Sequence, residues 1–454
     1  MFGRKFQISL LAFLLAGGYL FLNGCEYFLP KDWKTYKLEE VFANQPWAYV
    51  IPQVSAVRGI NGIKASDCGN CHTEIYNEWK SSTHSQALHD LQFQAELSKP
   101  ATPVWLCLNC HIPVQNQREY IVIGLEDGNF RKPLTIPNPG FDLEMREEGV
   151  TCATCHIHTT DSGEFLILGA NGNLNPPHPV LRDPVRLRNR CNDCHNAEYV
   201  LDQDLICYFQ TGDEMKASKH ISEQEKSCSS CHLPRVERSI VKAELKRPVR
   251  ISHKHTFWGG GVPKNFQLYK TLLDSGYYPA LQLKDFQFTK AAITLKLKNA
   301  NPAHKLPSGD PERHILILLE IFNRNKELLQ TKSVRIGQEW EWWPEAKLLN
   351  DNRLAPMEER EITLPIQEIA DLVGRIKISA YHIRLTEENA KYMKENSFQA
   401  NPRYRDKIQN LDQYYPYRTR IHLSEWNYEK GWIREKSWKK TIQEWIKEQN
   451  PTGL

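Results

Sequence analysis

The chain predicts an α+β fold in two domains: a mainly helical, loop-rich N-terminal domain, then a β-sandwich and a terminal helix. Three observations carry this expectation. Five copies of Cys-x-x-Cys-His crowd into residues 68–232. Past Arg250 no further copy occurs, and segments with period-two alternation take over. Near the end, Trp438, Ile442, Trp445 and Ile446 fall at i, i+4, i+7 and i+8, one stripe of a helix.

The five motifs are Cys68/Cys71/His72, Cys107/Cys110/His111, Cys152/Cys155/His156, Cys191/Cys194/His195 and Cys228/Cys231/His232. This is the attachment pattern of haem c: two thiols form thioethers to one porphyrin, and the histidine binds its iron from one face. With 12 Cys and 16 His in 454 residues, shuffling would produce about 0.01 such pentapeptides. Zinc knuckles also use Cys-x-x-Cys, but they pair, and five is odd; zinc also needs no His after each second Cys. Five haem c groups are therefore expected, with His72, His111, His156, His195 and His232 as proximal ligands. The motifs span 165 residues, or 33 per haem. That is too little chain for a conventional side-chain core, so the haems themselves should dominate it and touch one another.

The N-terminus reads Arg4-Lys5, an apolar run Phe6–Leu22, then Leu22-Asn23-Gly24-Cys25. This predicts a signal peptide over 1–24. The Leu-x-Gly-Cys ending resembles a lipobox, which makes Cys25 the lipidated mature N-terminus; an uncleaved anchor is the alternative. Either arrangement puts the folded part on the periplasmic side or the cell surface, held at a membrane. Residues 25–65 lack periodicity and read as a tether. Ten Cys serve the motifs and Cys25 the lipid, leaving Cys207, best read as a small apolar side chain. The net charge of +4 falls to +2 without Arg4 and Lys5. Ten propionates would bring the mature protein to roughly −8. No basic run is interleaved with aromatics, which excludes nucleic acid as a partner class. Redox proteins are the expected partners.

Taken in order, the haem domain should cover 66–262, with a helix from Glu74 to about Leu97 and loops at Pro133–Gly140 and Asn171–Pro184. The sandwich should cover 286–426, with strands at Ala291–Lys298, His314–Phe322, Glu361–Ile366, Arg375–Leu385 and Thr419–Leu423. In the first, Ile293, Leu295 and Leu297 alternate with polar residues. Residues 427–454 should supply a helix docked on the body.

Eleven histidines remain after the five proximal ones, enough for a second axial ligand at every iron. His84 is foremost. Twelve residues of helix separate it from His72, about 18 Å, whereas two nitrogens on one iron lie about 4 Å apart. His84 should therefore serve a different haem. His220 precedes the fifth motif in a similar helical setting. His255 is followed by Gly259-Gly260-Gly261, whose backbone can approach a porphyrin closely. His158 cannot reach the far face of the haem held by His156, but can reach a neighbour, as can His89 and His178. His382 and His422 fall in expected strands and read as packing residues.

Three stretches resemble the multihaem cytochromes related to hydroxylamine oxidoreductase and its tetrahaem electron-acceptor cytochrome. They are Cys68-x-x-Cys71-His72-x-x-x-Tyr76-x-x-Trp79-x-x-Ser82-x-His84, Gly149-Val150-Thr151-Cys152-Ala153-Thr154-Cys155-His156, and His255-x-Phe257-x-Gly259-Gly260. The segment Asn299–Asp310 resembles part of a β domain appended to some multihaem cytochromes. That resemblance implies a histidine near the haems, adding His304 as a distal candidate. The tetrahaem relative has one haem fewer, so haem-by-haem roles do not transfer. No crosslinking tyrosine of the oxidoreductase type is identifiable.

The resulting expectation is a lipid-anchored electron relay, with paired histidines keeping coordination fixed while electrons pass. Two alternatives stay open: a redox enzyme acting on a small nitrogen or sulfur compound at a five-coordinate haem, and a haem-bearing docking subunit of a respiratory complex.

Overall fold

The computed structural model describes residues 34–171, 175–201, 204–223, 225–342 and 344–449. The expected signal peptide and Cys25 lie outside them, as does the Cys207 side chain. The architecture is α+β: short helices and small sheets first, then two larger sheets and a terminal helix. Among the described residues no helix is long and apolar enough to cross a membrane.

Two compact units result, and their boundary is not the expected one. The smaller comprises residues 34–44 with Tyr120–Pro137. Strands Thr35–Tyr36, Tyr120–Glu126 and Pro133–Pro137 form an antiparallel sheet there, around buried Phe42, Leu125 and Phe130. Asp127 ties it shut, donating its N–H to Lys34 O (2.8 Å) and accepting from Lys34 N at Oδ1 (2.9 Å).

All five motifs and both larger sheets lie in the other unit. The expected haem domain (66–262) and sandwich (286–426) are therefore parts of one body. Residues 45–65 are no free tether: Trp47, Ala48, Val54 and Val57 are buried, and Asn109 Nδ2 donates to Ala48 O (2.8 Å).

The sandwich pairs a three-stranded sheet with a six-stranded one. Strands Leu281–Phe288, Ala292–Asn299 and Glu359–Pro365 form the first. In the second, Lys347–Asp351 lies at one edge, followed by Leu328–Glu341, His314–Asn323, Val373–Ile383, Arg418–Asn427 and Trp432–Glu435. Alternation explains the packing. Ile293, Leu295 and Leu297 point inward from one sheet, and Ile315, Ile317, Leu319, Ile376 and Ile378 from the other. All five expected strands are present, and four more join them.

The region between Ile383 and Arg418, for which the sequence pattern names no element, carries helices Glu387–Glu395, Pro402–Gln409 and Leu411–Tyr414. Their apolar residues, among them Met393, Tyr404, Ile408 and Tyr415, pack on Leu91 and Ala95 of the haem region. Residues 427–454 are not all helix: the last strand runs to Glu435, and the helix is Trp438–Gln449. Ile442 and Ile446 pack on Phe266, Tyr269 and Leu272 as a docked stripe should.

The expected helix Glu74–Leu97 is broken into Thr73–Lys80 and Leu91–Leu97. Serines cause the break by diverting backbone acceptors. Ser81 Oγ donates to Glu78 O (2.8 Å), and Ser85 Oγ donates to Lys80 O (2.8 Å) and Ser82 O (2.9 Å). Asp90 then starts a new helix by accepting from Phe93 N (3.0 Å).

Candidate haem-binding site

Helices Val104–His111, Cys152–His156 and Cys228–His232 contain whole motifs, whereas Ala65–Gly69 ends before Cys71 and His72 and Asn192–His195 starts after Cys191, with His72 N to Cys68 O and His195 N to Cys191 O (2.9 Å each) closing the turn. Residues i, i+3 and i+4 share a helix face, so the two Cys and the His of a motif converge on one side. That is what one porphyrin edge and its iron require.

None of the ten motif cysteines takes part in a disulfide, so all ten keep the thiols that thioether formation needs. They are not equally enclosed. Cys68, Cys71, Cys107, Cys110, Cys152, Cys155, Cys191, Cys194 and Cys228 are half-buried, whereas Cys231 is exposed. In the second motif, helix Val104–His111 buries Trp105, Leu106, Leu108 and Asn109, leaving Cys107 and Cys110 at the edge of that packing. Burial still pushes the Cys107 thiol up to about 12. The fifth motif has less cover, because helix Cys228–His232 contains no buried residue; Cys228 turns toward Cys191 and Cys231 toward solvent.

Four proximal rings are oriented through Nδ1. His72 Nδ1 meets Ile240 O (2.7 Å), His111 meets Ala87 O (2.7 Å), His156 meets Leu168 O (2.9 Å) and His232 meets Trp258 O (2.7 Å). A carbonyl acceptor fixes the proton on Nδ1 and leaves Nε2 for a metal. Burial also pushes His111 and His195 down to about 4 and lowers His156, keeping them neutral, the form that ligates.

The distal side tests whether these residues fit haem iron. Two imidazoles on opposite faces of one iron put their nitrogens about 4 Å apart and their ring centroids about 6 Å apart. Three pairs have this spacing: His84 with His195 at 6.2 Å, His156 with His255 at 6.1 Å, and His232 with His304 at 6.4 Å. His255 Nδ1 meets His253 O (2.9 Å) and His304 Nδ1 meets Lys305 O (2.9 Å), repeating the proximal pattern. Asn301 Nδ2 also lies against the His304 ring, 3.1 Å from Nδ1 and 2.9 Å from Nε2. The residues fit bis-histidine haem at these three motifs.

His178 lies within electrostatic reach of His72, and burial is the main cause of its lowered pKa. Its buried Nδ1 has no hydrogen-bond partner. No second imidazole faces His111 among the described residues; Phe93 stacks on it, with centroids 3.4 Å apart and planes within 5°.

Other candidates go elsewhere. His220 is exposed beyond the end of helix Thr211–Ala217, without ring contacts. The helix stops at Ser218, whose Oγ donates to Pro302 O (2.5 Å). His158 pairs across a strand with Leu166 and meets the Arg186 guanidinium. His89 is held by Tyr404 Oη (2.7 Å) and Glu147 O (2.9 Å). His382 and His422 are buried in strands. The three glycines approach side chains: a Cβ on Gly259 would meet His232, and on Gly260 and Gly261 Arg313 and Tyr277.

The motif sites form a continuous array. The Cys68 and Cys152 thiols lie beside one another, as do those of Cys191 and Cys228. Cys155 is within electrostatic reach of Cys194, and His195 of both His232 and His111. The first site thus adjoins the third, the third the fourth, and the fourth both the fifth and the second.

Sequence reasoning missed the clamp that seats His304. Glu214 Oε2 accepts from Lys305 N (3.2 Å) and Ser308 Oγ (2.7 Å), while Oε1 accepts from Arg353 (2.7 Å). Asp351 holds the same guanidinium at 2.8 Å through both Nε and NH2. A lone Glu in a short helix gives no local signal of this role.

Residues 67–130, which contain the first two motifs, match the family Cytochrome c554 and c-prime. No curated protein matches the chain. Among solved structures, a penta-haem cytochrome c552 from Thermochromatium tepidum shares the fold with a TM-score of 0.52 at 18% identity. That likeness covers 80% of this chain and 98% of the other. With the five motifs, these findings support a multihaem c-type cytochrome that binds haem c.

Proposed function

We propose that the protein is an electron relay carrying five covalent haems, exported and held at a membrane through Cys25. The observation that supports it best is the spacing of three facing imidazole pairs at 6.1–6.4 Å within a continuous array. When bound, haem c supplies a one-electron ferric/ferrous couple. The chain's part is to keep each iron's surroundings constant. Backbone carbonyls on Nδ1 fix ring orientation, and paired histidines leave no position for water or substrate at those sites. His84 and His255 join sites far apart in sequence, and His304 brings the sandwich into the same assembly. His178 is the candidate partner of His72.

A second reading is favoured by one observation: His111 faces no imidazole among the described residues. A redox reaction on a small nitrogen or sulfur compound would be seated there. Counting high-spin haems decides between the two. Reduced protein that binds no carbon monoxide, with ferric haems all low-spin, supports the pure relay. Stoichiometric carbon monoxide binding, lost in His111→Ala, supports chemistry at the second site.

A further inference from the structure

The interior beside the second and fourth motifs holds more cations than local anions. Lys264 Nζ pairs with Asp90 Oδ2, and Arg384 NH1 lies 3.4 Å from the same oxygen. Side-chain exposure is only 5% for both Asp90 and Arg384 and 17% for Lys264. Arg313 joins them, its NH1 packed against Gly260 at φ +69. Among the described residues the Arg313 guanidinium makes no hydrogen bond, and its Nε is buried. Asp310 is within electrostatic reach of Arg313 and Arg384 but forms no ion pair with either. Three cations thus face one paired carboxylate and one more distant one.

Unmet buried polar atoms point the same way. Arg384 Nε and His382 Nε2, on side chains more than nine-tenths buried, have no hydrogen-bond partner. Tyr415 Oη accepts from Arg384 NH1 (3.2 Å) and donates to Gln92 Oε1 (3.0 Å), so it supplies no charge. Leaving buried guanidinium donors such as Arg313 Nε and Arg384 Nε unmet is costly unless an acceptor reaches them. Arginine cannot escape by losing its proton. The haem sites are close by: Lys264 is within electrostatic reach of His84 and His111, and Arg313 of His195.

We propose that Arg313, Arg384, His382 and Lys264 form an internal anion site between the second and fourth haem positions, built to take a carboxylate or a small oxyanion. This rests on the haem-binding reading above. Two sources offer that chemistry: a haem propionate, or a free anion entering beside His111.

The test uses the mature holoprotein and the variants Arg313→Met and Arg313→Lys, with formate and inorganic phosphate as probes. Arg313 makes no protein hydrogen bond, so Arg313→Met strands no partner and should retain its haems. If a propionate is the occupant, Arg313→Met lowers the reduction potential of one haem in anion-free buffer. Arg313→Lys then restores most of it, and formate leaves wild type unchanged. If a free anion is the occupant, formate or phosphate shifts the wild-type Soret band saturably, and Arg313→Met weakens that response at least tenfold. Should Arg313→Met not mature, Arg313→Lys, which keeps the charge but loses the planar fork, carries the test through a smaller change of the same kind. Unchanged potentials together with no anion response in wild type and variants would overturn the proposal. Loss of all covalent haem from wild type would instead refute the haem reading beneath it.

Discussion

Replacing Glu214 with Ala removes three contacts at once from the loop that carries His304. The carboxylate is 7% exposed and its partner Arg353 5%, so solvent screens neither. Breaking a buried ion pair by deleting one partner costs about 3–5 kcal/mol when the survivor is stranded. Here Asp351 still holds Arg353 at 2.8 Å, which brings the expected loss down to about 3 kcal/mol. Glu214→Gln keeps an acceptor and should lose about 1–2 kcal/mol. If the loss falls on loop docking, about 3 kcal/mol raises the detached population roughly 100-fold. The assay is the low-spin haem count by electron paramagnetic resonance, with redox titration and a melting curve alongside. Glu214→Ala should convert part of one haem to high spin and shift that haem's potential, approaching His304→Ala, while all haems stay covalently bound. The reasoning is refuted if His304→Ala converts one haem and Glu214→Ala changes nothing. The loop would then hold its histidine without the clamp.

Three further outcomes are expected. His84→Ala should make one haem high-spin, whereas His220→Ala, at an exposed position, should leave spectrum and potentials unaltered; equal effects would contradict the observed pairing. Burial, then Asp310, pushes Glu312 up to about 7 from 4.5. A raised pKa favours the native state fully below about 4.5 and loses that contribution as pH rises through about 7, at most about 3 kcal/mol. The unfolding midpoint should therefore fall between pH 5 and 8, and fall less in Glu312→Gln; identical slopes would rule out this source. Cys25→Ser should abolish lipidation yet leave haem content intact, and mass spectrometry of the mature N-terminus checks both.

Local sequence determined the binding chemistry. Two Cys and a His at i, i+3 and i+4 converge on one side of a helical turn, so the five motifs are legible without a fold. How deeply each thiol sits is not: Cys110 and Cys231 occupy the same motif position as Cys155, yet Cys231 alone is exposed. Alternation in Ile293, Leu295 and Leu297 likewise fixes a half-buried strand. Helical spacing from His72 makes His84 a candidate and the following glycines make His255 one, but apolar periodicity alone extends a helix through Ser81, Ser82 and Ser85. Those serines compete for backbone acceptors, which periodicity does not register.

Tertiary structure alone decided which histidines face one another. The pairs His84–His195 and His232–His304 join residues 111 and 72 positions apart, and sequence spacing carries no information at that range. It also decided that the sandwich is no appendage. A loop held by Glu214, helices packed on Leu91 and Ala95, and Arg313 and His382 beside Gly260 bind it into the haem assembly. Each contact depends on where two distant segments meet. Charge balance shows the difference most clearly: Lys264, Arg313 and Arg384 are unremarked basic residues along the chain, and become a cation surplus only when folding gathers them and partly withdraws them from water.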